Sequence, residues 1–209
     1  MSAIAWQDEA TKRRIEDLIR EVESKSSAEV VITVRPRSGD YLAADLTFAA
    51  IMALVGLCIY VYAPMQFTDD LAPPSIAMLF FAALACSARV PKIRRWFTPK
   101  RLLAASTRAA ARESFVDQNI ASTRDRTGIL IYVSTFEQEA HVVTDIGIVR
   151  REIEGNLLRL TYAIEHAIAQ DKPLAAFEEA LRDLGKWLAD NLPPRIDDTN
   201  ELSDEVNVS

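Results

Sequence analysis

Two long apolar runs lie within residues 42–95, which read LAADLTFAAIMALVGLCIYVYAPMQFTDDLAPPSIAMLFFAALACSARVPKIRR. Residues 46–68 contain no Asp, Glu, Lys or Arg, and a second uncharged run covers residues 71–88. Roughly 20 apolar residues, at a rise of about 1.5 Å each, cross the hydrocarbon core of a bilayer. The pattern therefore predicts two transmembrane helices, at about residues 42–64 and 71–90. A pair of buried core helices is the alternative interpretation.

The charges beside these runs predict their orientation. The connecting loop carries Asp69 and Asp70 and no basic residue. Eight basic residues follow the second run before the next acid, Glu113: Arg89, Lys92, Arg94, Arg95, Lys100, Arg101, Arg108 and Arg112. Because Lys and Arg near membrane ends stay on the cytoplasmic side, we expect a multi-pass protein of the cell inner membrane, with both termini and the soluble domain cytoplasmic.

The same charges indicate the partners. The basic cluster suits a cytoplasmic surface of anionic lipid, and a net charge of −6 argues against general nucleic-acid binding. We expect a lipid bilayer and a membrane protein as partners, and no nucleic acid.

Small residues four positions apart predict how the two apolar helices touch, because they let two helix backbones approach closely. They form three pairs: Ala49 with Ala53, Ala82 with Cys86, and Ala83 with Ser87. Cys58 and Cys86 lie one in each run and lack the spacing of a zinc site or a redox pair. We therefore interpret both cysteines as packing residues in lipid.

The rest of the chain has the pattern of an α/β domain. A helical pattern at residues 9–25 precedes a β-branched strand at 29–34. After the hairpin come a helix to about residue 119, two strands, two helices and an acidic tail. The strands cover residues 129–133 and 140–144, and we expect the first of them to be a parallel neighbour of the strand at 29–34. Gly147 ends the β-hairpin, where we expect a backbone conformation that other residues resist.

The predicted architecture is thus a small βαβ-type sheet flanked by helices and interrupted after its first strand. The soluble domain is discontinuous, formed by residues 9–40 and 96–192, with the transmembrane hairpin at 41–95. Residues 193–209 form the tail, which we expect to be a surface strap or disordered. The first residues have neither the basic start nor the apolar core of a secretory signal, so none is predicted.

Several short motifs carry a family resemblance. Residues 123–134 read TRDRTGILIYVS, Glu137 follows, residues 141–148 read HVVTDIGI, and the tail contains NELSD at 200–204. With these motifs the chain resembles the TPM domain family, over residues 15–34 and 109–204. The resemblance implies a βαβ-type sheet flanked by helices, a likeness to a thylakoid-lumen acid phosphatase tied to photosystem II repair, and the divalent-cation binding of some members.

The chain departs from the plan of many family members, which have a signal peptide and a separate membrane anchor. Here the membrane segments interrupt the domain, and the charge pattern assigns the domain to the cytoplasm. A role that depends on the thylakoid lumen is therefore not carried over, because shape transfers between relatives more readily than chemistry.

Three acids at predicted strand ends are the candidate metal ligands. Glu29 opens the first strand, Glu137 lies between the second and third, and Asp145 ends the third. Carboxylates at strand ends can hold calcium or magnesium. Alternatively, Glu29 and Glu137 form salt bridges with Arg124 or Arg126, and Asp145 caps a turn.

No catalytic residue or organic cofactor site is predicted. The sequence contains no nucleophile elbow, glycine-rich phosphate loop or Walker lysine, and His141 and His166 are interpreted as structural histidines. Two functions remain. The preferred one is a non-enzymatic, membrane-anchored TPM-like module that assists the assembly, stability or turnover of membrane protein complexes. The alternative is a divalent-metal-dependent acid phosphatase, which the resemblance implies, and acids converging within roughly 5 Å would favour it.

Overall fold

The computed structural model of the chain describes residues 6, 8–63, 71–149, 156–168, 173–194 and 206–208. The chain divides into two compact units. Residues 1–38 and 104–209 form what we call the sheet unit, and residues 39–103 form the hairpin unit. The sequence placed these boundaries near residues 40 and 96, so the hairpin unit takes in a few more residues at its C-terminal side than the apolar pattern indicated.

The fold is mixed α/β and mostly helical. In chain order its elements are α1 (Glu9–Glu23), β1 (Glu29–Arg35), α2 (Leu42–Tyr62), α3 (Ala72–Arg89), α4 (Pro91–Trp96), α5 (Lys100–Asp117), a 3₁₀ turn (Ile120–Ser122), β2 (Gly128–Ser134), β3 (Glu139–Thr144), α6 (Ile146–Val149), α7 (Asn156–Ala167), α8 (Pro173–Asn191) and β4 (Asn207–Val208).

The strands form one sheet in the order β3-β2-β1-β4. β1 and β2 are parallel neighbours, with Glu29 beside Gly128 and Arg35 beside Ser134. β2 and β3 form an antiparallel hairpin in which Ile129 is opposite Thr144. The predicted parallel pairing and the predicted β-hairpin are both confirmed.

β1 is buried on both faces, as its unbroken apolar run predicted. Val30 and Ile32 belong to the larger core cluster, together with apolar residues of α1, α7 and α8. Val31 belongs to a second cluster, with Leu130 and Tyr132 of β2 and Ala111 of α5. Helices therefore supply apolar side chains to the cores on both faces of the sheet.

The helices of the larger core follow the predicted spacing. In α1 the side chains at i, i+3, i+4 and i+7 are buried: Ile15, Leu18, Ile19 and Val22. In α8 the buried apolar residues include Phe177, Leu181, Leu184 and Leu188. Spacing by three and four residues places these side chains on one helical face, which is why the pattern identified both helices.

The acidic tail ends in a short strand that the sequence did not predict. Val206 is 3% exposed, and residues 207–208 form β4, which pairs in parallel with β1 beside Thr33 and Val34. Backbone pairing with an open sheet edge needs no side-chain pattern, so a polar tail gives no sequence signal for it. Residues 195–205 and the loop acids Asp69 and Asp70 lie outside the described residues.

Candidate functional site

The hairpin unit contains two helices that are long and apolar enough to span a membrane, α2 and α3. Their large apolar side chains point away from the packed interior of the unit. Leu54 is 60% exposed and Met78 is 70% exposed. The core helices of the sheet unit bury residues of the same kind, so the outward-facing residues of α2 and α3 have the pattern of a lipid-facing surface.

Small residues line the contact between α2 and α3. Ala49 and Ser87 are fully buried, and Ala83 is 7% exposed. A Cβ atom added to Gly56 would lie 2.5 Å from Leu79 Cδ2, so the two helices approach closely there as well. The predicted pair Ala83 with Ser87 is thus buried, as is Ala49 of the pair with Ala53, whereas Ala53 is half-buried.

The third predicted pair, Ala82 with Cys86, is exposed and does not form the contact. Residues 82 and 83 are one position apart, which is a rotation of about 100° around the helix axis. Only one of the two overlapping pairs can face α2, and the structure places Ala83 and Ser87 there. Cys58 and Cys86 are free and exposed.

A buried ionic cluster closes the end of the hairpin where the chain enters and leaves. Asp45, in the first turn of α2, is 2% exposed. Its carboxylate accepts hydrogen bonds from the Ser87 hydroxyl at 2.7 Å, from Arg94 Nε at 2.9 Å and from an Arg94 terminal amine at 2.6 Å. α2, α3 and α4 each contribute one side chain, so the cluster links all three helices.

The Arg94 guanidinium is held by both oxygens of Asp45, a bidentate geometry that only arginine offers. The hydrogen bonds to Asp45 raise the pKa of Arg94 above its ordinary value, against the opposing effect of burial. The Arg94 side chain is 15% exposed. Its charge is therefore neutralised inside the protein and is not presented on the surface.

Sequence reasoning missed this cluster. Asp45 lies inside the predicted helix at 42–64, but the uncharged run begins only at Leu46, so no partner was sought for this acid. An acid in the first turn of an apolar helix is costly near a membrane unless it is paired, and that cost is the signal that could have identified it. Its partner, 49 positions further along the chain, is set by the hairpin and not by local spacing.

The three predicted metal ligands do not share one site. Glu29 pairs with Gly128 at the start of β1 and β2, and the Asp145 amide donates to the Gly128 carbonyl, so Glu29 and Asp145 lie near the same end of the sheet. Glu137 follows β2 and lies at the opposite end, beside Ser134. Six residue steps of roughly 3.3 Å separate the two ends of β2.

Asp145 is held by Arg126. The two side chains form a bidentate pair with distances of 2.8 Å and 3.1 Å, and the Asp145 carboxylate also accepts the Ile146 N–H at 2.7 Å. This pair raises the pKa of Arg126, first through the hydrogen bond and then through charge attraction. Both carboxylate oxygens of Asp145 are therefore engaged by the protein, one of them also by the Ile146 N–H.

Glu137 is fully buried in the turn between β2 and β3. Its carboxylate accepts the Ser38 N–H at 2.9 Å and a hydrogen bond from the Ser134 hydroxyl. The Ser38 hydroxyl in turn donates to the Tyr132 hydroxyl at 3.2 Å, and burial raises the pKa of that phenol. Glu137 lies at the opposite end of the sheet from Arg126, whose guanidinium pairs with Asp145. Glu137 instead ties the end of β1 to the β2–β3 turn.

These contacts do not fit a divalent ion bound by the three acids together. Two of the three carboxylates are engaged by arginine, hydroxyl and amide donors at opposite sheet ends. Within the described ranges, no group of three or more His, Cys, Asp or Glu side chains is arranged to hold a metal. Metal binding by Glu29, Glu137 or Asp145 individually stays a prediction.

The two histidines have local partners. His141 Nδ1 lies 2.7 Å from a Glu165 carboxylate oxygen, and Glu165 also accepts the Val142 N–H at 3.1 Å. Burial opposes ionisation of Glu165, but the hydrogen bonds from His141 and Val142 outweigh it and lower the pKa of the carboxyl. His166 stacks on Tyr162 with ring centroids 3.7 Å apart. Glu165 is adjacent to His166 in the sequence, but its carboxylate pairs with His141.

The fold and the hairpin together define a class, a small mixed α/β domain interrupted by two apolar helices. No protein-family model matches the sequence, and comparison with curated proteins found no match. Among solved structures, the chain is similar to the NMR structure of the BA42 protein from the psychrophilic bacterium Bizionia argentinensis, with a TM-score of 0.59, 16% identity and 100% of each chain covered. At this identity the similarity shows a shared fold.

Proposed function

We propose that this protein is a membrane-anchored, TPM-like module that assists the assembly, stability or turnover of membrane protein complexes without catalysing a reaction. The exposure of the apolar side chains of α2 and α3 carries the proposal, because a soluble protein would leave them in water. Lipid contact around the hairpin removes that cost and leaves the small residues and the Asp45 cluster at the helix–helix contact.

The contacts of the sheet acids support the non-enzymatic role. Asp145 is held by Arg126 and by a backbone amide, and Glu137 by Ser38 and Ser134. Each contact joins a strand to a neighbouring turn, which is a structural task. The acid phosphatase would need these carboxylates to leave their present partners before they could bind an ion.

The charge pattern supports an orientation with both termini and the sheet unit in the cytoplasm, in the cell inner membrane. The basic residues follow α3, whereas the acids of the connecting loop lie between the two apolar helices. An even number of spans returns the chain to its starting side, so β1 and β2 can pair although the hairpin separates them.

Reporter fusions test the orientation. A reporter that is active only outside the cytoplasm should be silent after Ser209 and active when inserted near Asp69. A cytoplasm-dependent reporter at the same two positions should give the reverse pattern and serves as the control. Activity of the first reporter after Ser209 would overturn the proposed topology, and extraction of the full chain from membranes by alkaline carbonate would overturn membrane insertion.

Co-purification tests the role. The full chain, isolated in mild detergent, should enrich a defined set of membrane-protein subunits over an unrelated protein with a two-helix anchor. Hydrolysis of a phosphomonoester that requires calcium or magnesium and is lost in Asp145→Asn would overturn the non-enzymatic proposal in favour of the phosphatase.

A further inference from the structure

The short helix α4 presents two different faces. An α-helix turns by about 100° per residue, so Lys92, Arg95 and Trp96 lie within a single arc of about 100° and Arg94 lies on the opposite side. Trp96 is 86% exposed, Lys92 is exposed and Arg95 is half-buried. We call Lys92, Arg95 and Trp96 the outer face of α4.

The opposite face of α4 is fixed to the hairpin. Arg94 is bound by both oxygens of Asp45 in α2. Phe97, the residue after α4, packs edge-to-face on Phe48 of α2 with ring centroids 5.2 Å apart. These two contacts hold the helix in one orientation, which sets the direction of the outer face within the hairpin unit.

We propose that the outer face of α4 binds the phosphate-bearing headgroups of anionic phospholipids, and that the Asp45–Arg94 pair positions it for this. The inference rests on the proposed membrane anchoring, since only Val90 separates α4 from the end of α3. Charge complementarity identifies the occupant. Two cations attract anionic headgroups, and an exposed tryptophan beside an apolar helix favours the headgroup region of a bilayer.

The basic residues of α4 have different roles. Seven basic residues lie between the end of α3 and Glu113, but the structure withdraws Arg94 from the surface by pairing it with Asp45. On α4, Lys92 and Arg95 thus make the lipid contact, and Arg94 is a positioning residue. Arg108 and Arg112 are exposed on α5 and provide a control for charge alone.

Native mass spectrometry of the full chain in detergent, titrated with phosphatidylglycerol or phosphatidylcholine, tests the lipid contact. The wild type should bind phosphatidylglycerol more tightly, and K92Q/R95Q should lose about 25-fold in affinity for it, from roughly fivefold per cation near a lipid surface. R108Q/R112Q removes the same charge and should change the affinity less than about twofold. Equal binding of the two lipids, or equal losses in the two double variants, would overturn the proposal.

Asp45→Asn tests the positioning. The substitution removes a negative charge, so attraction by net charge alone predicts tighter binding of phosphatidylglycerol. If Asp45 positions α4 through Arg94, binding should weaken although the protein is more positive. S87A, which removes the hydrogen bond from the Ser87 hydroxyl to Asp45 and leaves the pair with Arg94 intact, should bind like the wild type. Tighter binding by D45N would overturn the positioning role.

Competition experiments and carbonate extraction distinguish a failure of this inference from a failure of the proposed function. Inorganic phosphate at matched concentrations should not displace the lipid, and an acidic peptide should not compete, because the proposed occupant is a headgroup within a bilayer. If carbonate extraction leaves the chain in the membrane while the lipid preference is missing, this inference fails and the membrane anchor stands. If the chain is released by carbonate, the proposed function fails first.

Discussion

Gly147 shows how one missing side chain fixes a turn of the sheet unit. The sequence predicted that it adopts a backbone conformation unfavourable to other residues, but the structure gives a different reason. A Cβ atom at this position would lie 2.3 Å from the Asp125 carbonyl oxygen and 2.5 Å from that of Arg126. The glycine is needed because two backbone oxygens approach it, and Arg126 has the left-handed φ of 60° instead.

Gly147→Ala should therefore destabilise the fold by about 1–3 kcal/mol, because neither carbonyl can move without disturbing the turn that leads into α6. Gly185→Ala is the matched control. Its added Cβ would lie 2.5 Å from Val22 Cγ2 and 3.5 Å from Val22 Cβ and Cγ1, so one side chain and no backbone atom would have to move. Alanine also favours the helix interior over glycine by about 1 kcal/mol. Urea unfolding of the full chain in mild detergent measures both. A larger loss for Gly185→Ala would contradict the argument.

Asp145 separates the structural and metal hypotheses. Calcium or magnesium at millimolar concentration should leave the melting temperature unchanged, because Arg126 already occupies the carboxylate. Asp145→Asn should cost about 0.5–2 kcal/mol, with or without the ions, through the weakened bond to the Ile146 N–H. A cation-dependent rise in the wild type that Asp145→Asn abolishes would instead support the metal hypothesis. Loss of the same rise in Glu137→Gln would show that both sheet ends matter.

Glu165 predicts an acid-sensitive contribution to stability. Its folded-state pKa is lowered from the ordinary value of 4.5 by hydrogen bonds that outweigh the effect of burial. A lowered pKa gives a contribution that is complete above the unfolded value and is lost as the pH falls through the folded value. We expect Glu165→Gln to flatten the loss of stability below about pH 4.5, measured by circular dichroism across pH. If Glu165→Gln loses stability at low pH as steeply as the wild type, Glu165 does not make this contribution.

At the scale of elements, α2 and α3 show where sequence patterns succeed and where they stop. Their lengths and apolar character were predicted from uncharged runs, and the burial of Ala83 and Ser87 from small-residue spacing. The choice between the overlapping pairs at 82 and 83 depends on the rotation of the helix, which spacing alone does not fix. The ionic cluster depends on three helices meeting, so it emerges only in the assembled hairpin.

The Asp45–Arg94 pair should show strong coupling. Asp45→Asn alone leaves the Arg94 charge unpaired, and Arg94→Gln alone leaves the buried Asp45 charge unpaired. Each substitution should lower the free energy of unfolding by as much as about 3 kcal/mol. The double variant D45N/R94Q should recover part of that loss, since neither charge remains. Thermal unfolding of the two single variants and the double variant in detergent measures this double-mutant cycle. The exposed pair Arg20–Asp17 on α1 is the control, where single substitutions should change stability by less than about 1 kcal/mol. Additive losses at Asp45 and Arg94 would contradict a coupled pair.

At the scale of the whole molecule, the hairpin unit is inserted between two strands that pair directly. Seven residue pairs join β1 to β2 within the sheet unit. The sequence predicted this arrangement because both strands are rich in β-branched and apolar residues and two spans return the chain to the same side. It did not predict β4, whose two residues pair through the backbone from within a polar tail.

Replacing residues 39–103 by a flexible linker should therefore leave a soluble, folded sheet unit. The loop-closure entropy of a short linker is small compared with the pairing and packing that remain. Circular dichroism and a cooperative thermal transition measure the folding. The same deletion carrying Ile131→Asp, which buries a charge in the core, should be unfolded and serves as the negative control. An insoluble or non-cooperative product from the first deletion would contradict an independent sheet unit.

The interruption of the sheet also sets an order of events during synthesis. β1 leaves the ribosome early, but its parallel partner β2 begins 93 positions after β1 ends. At about 5–20 residues per second, β1 waits on the order of 5–20 s for that partner. Both apolar helices are translated within this interval, before the central strand pair can form. Completion of the sheet is thus timed to follow emergence of the entire hairpin. A nascent chain arrested before residue 128 would display an unpaired β-branched strand. Quality-control factors can recognise such a form of the protein as unfinished.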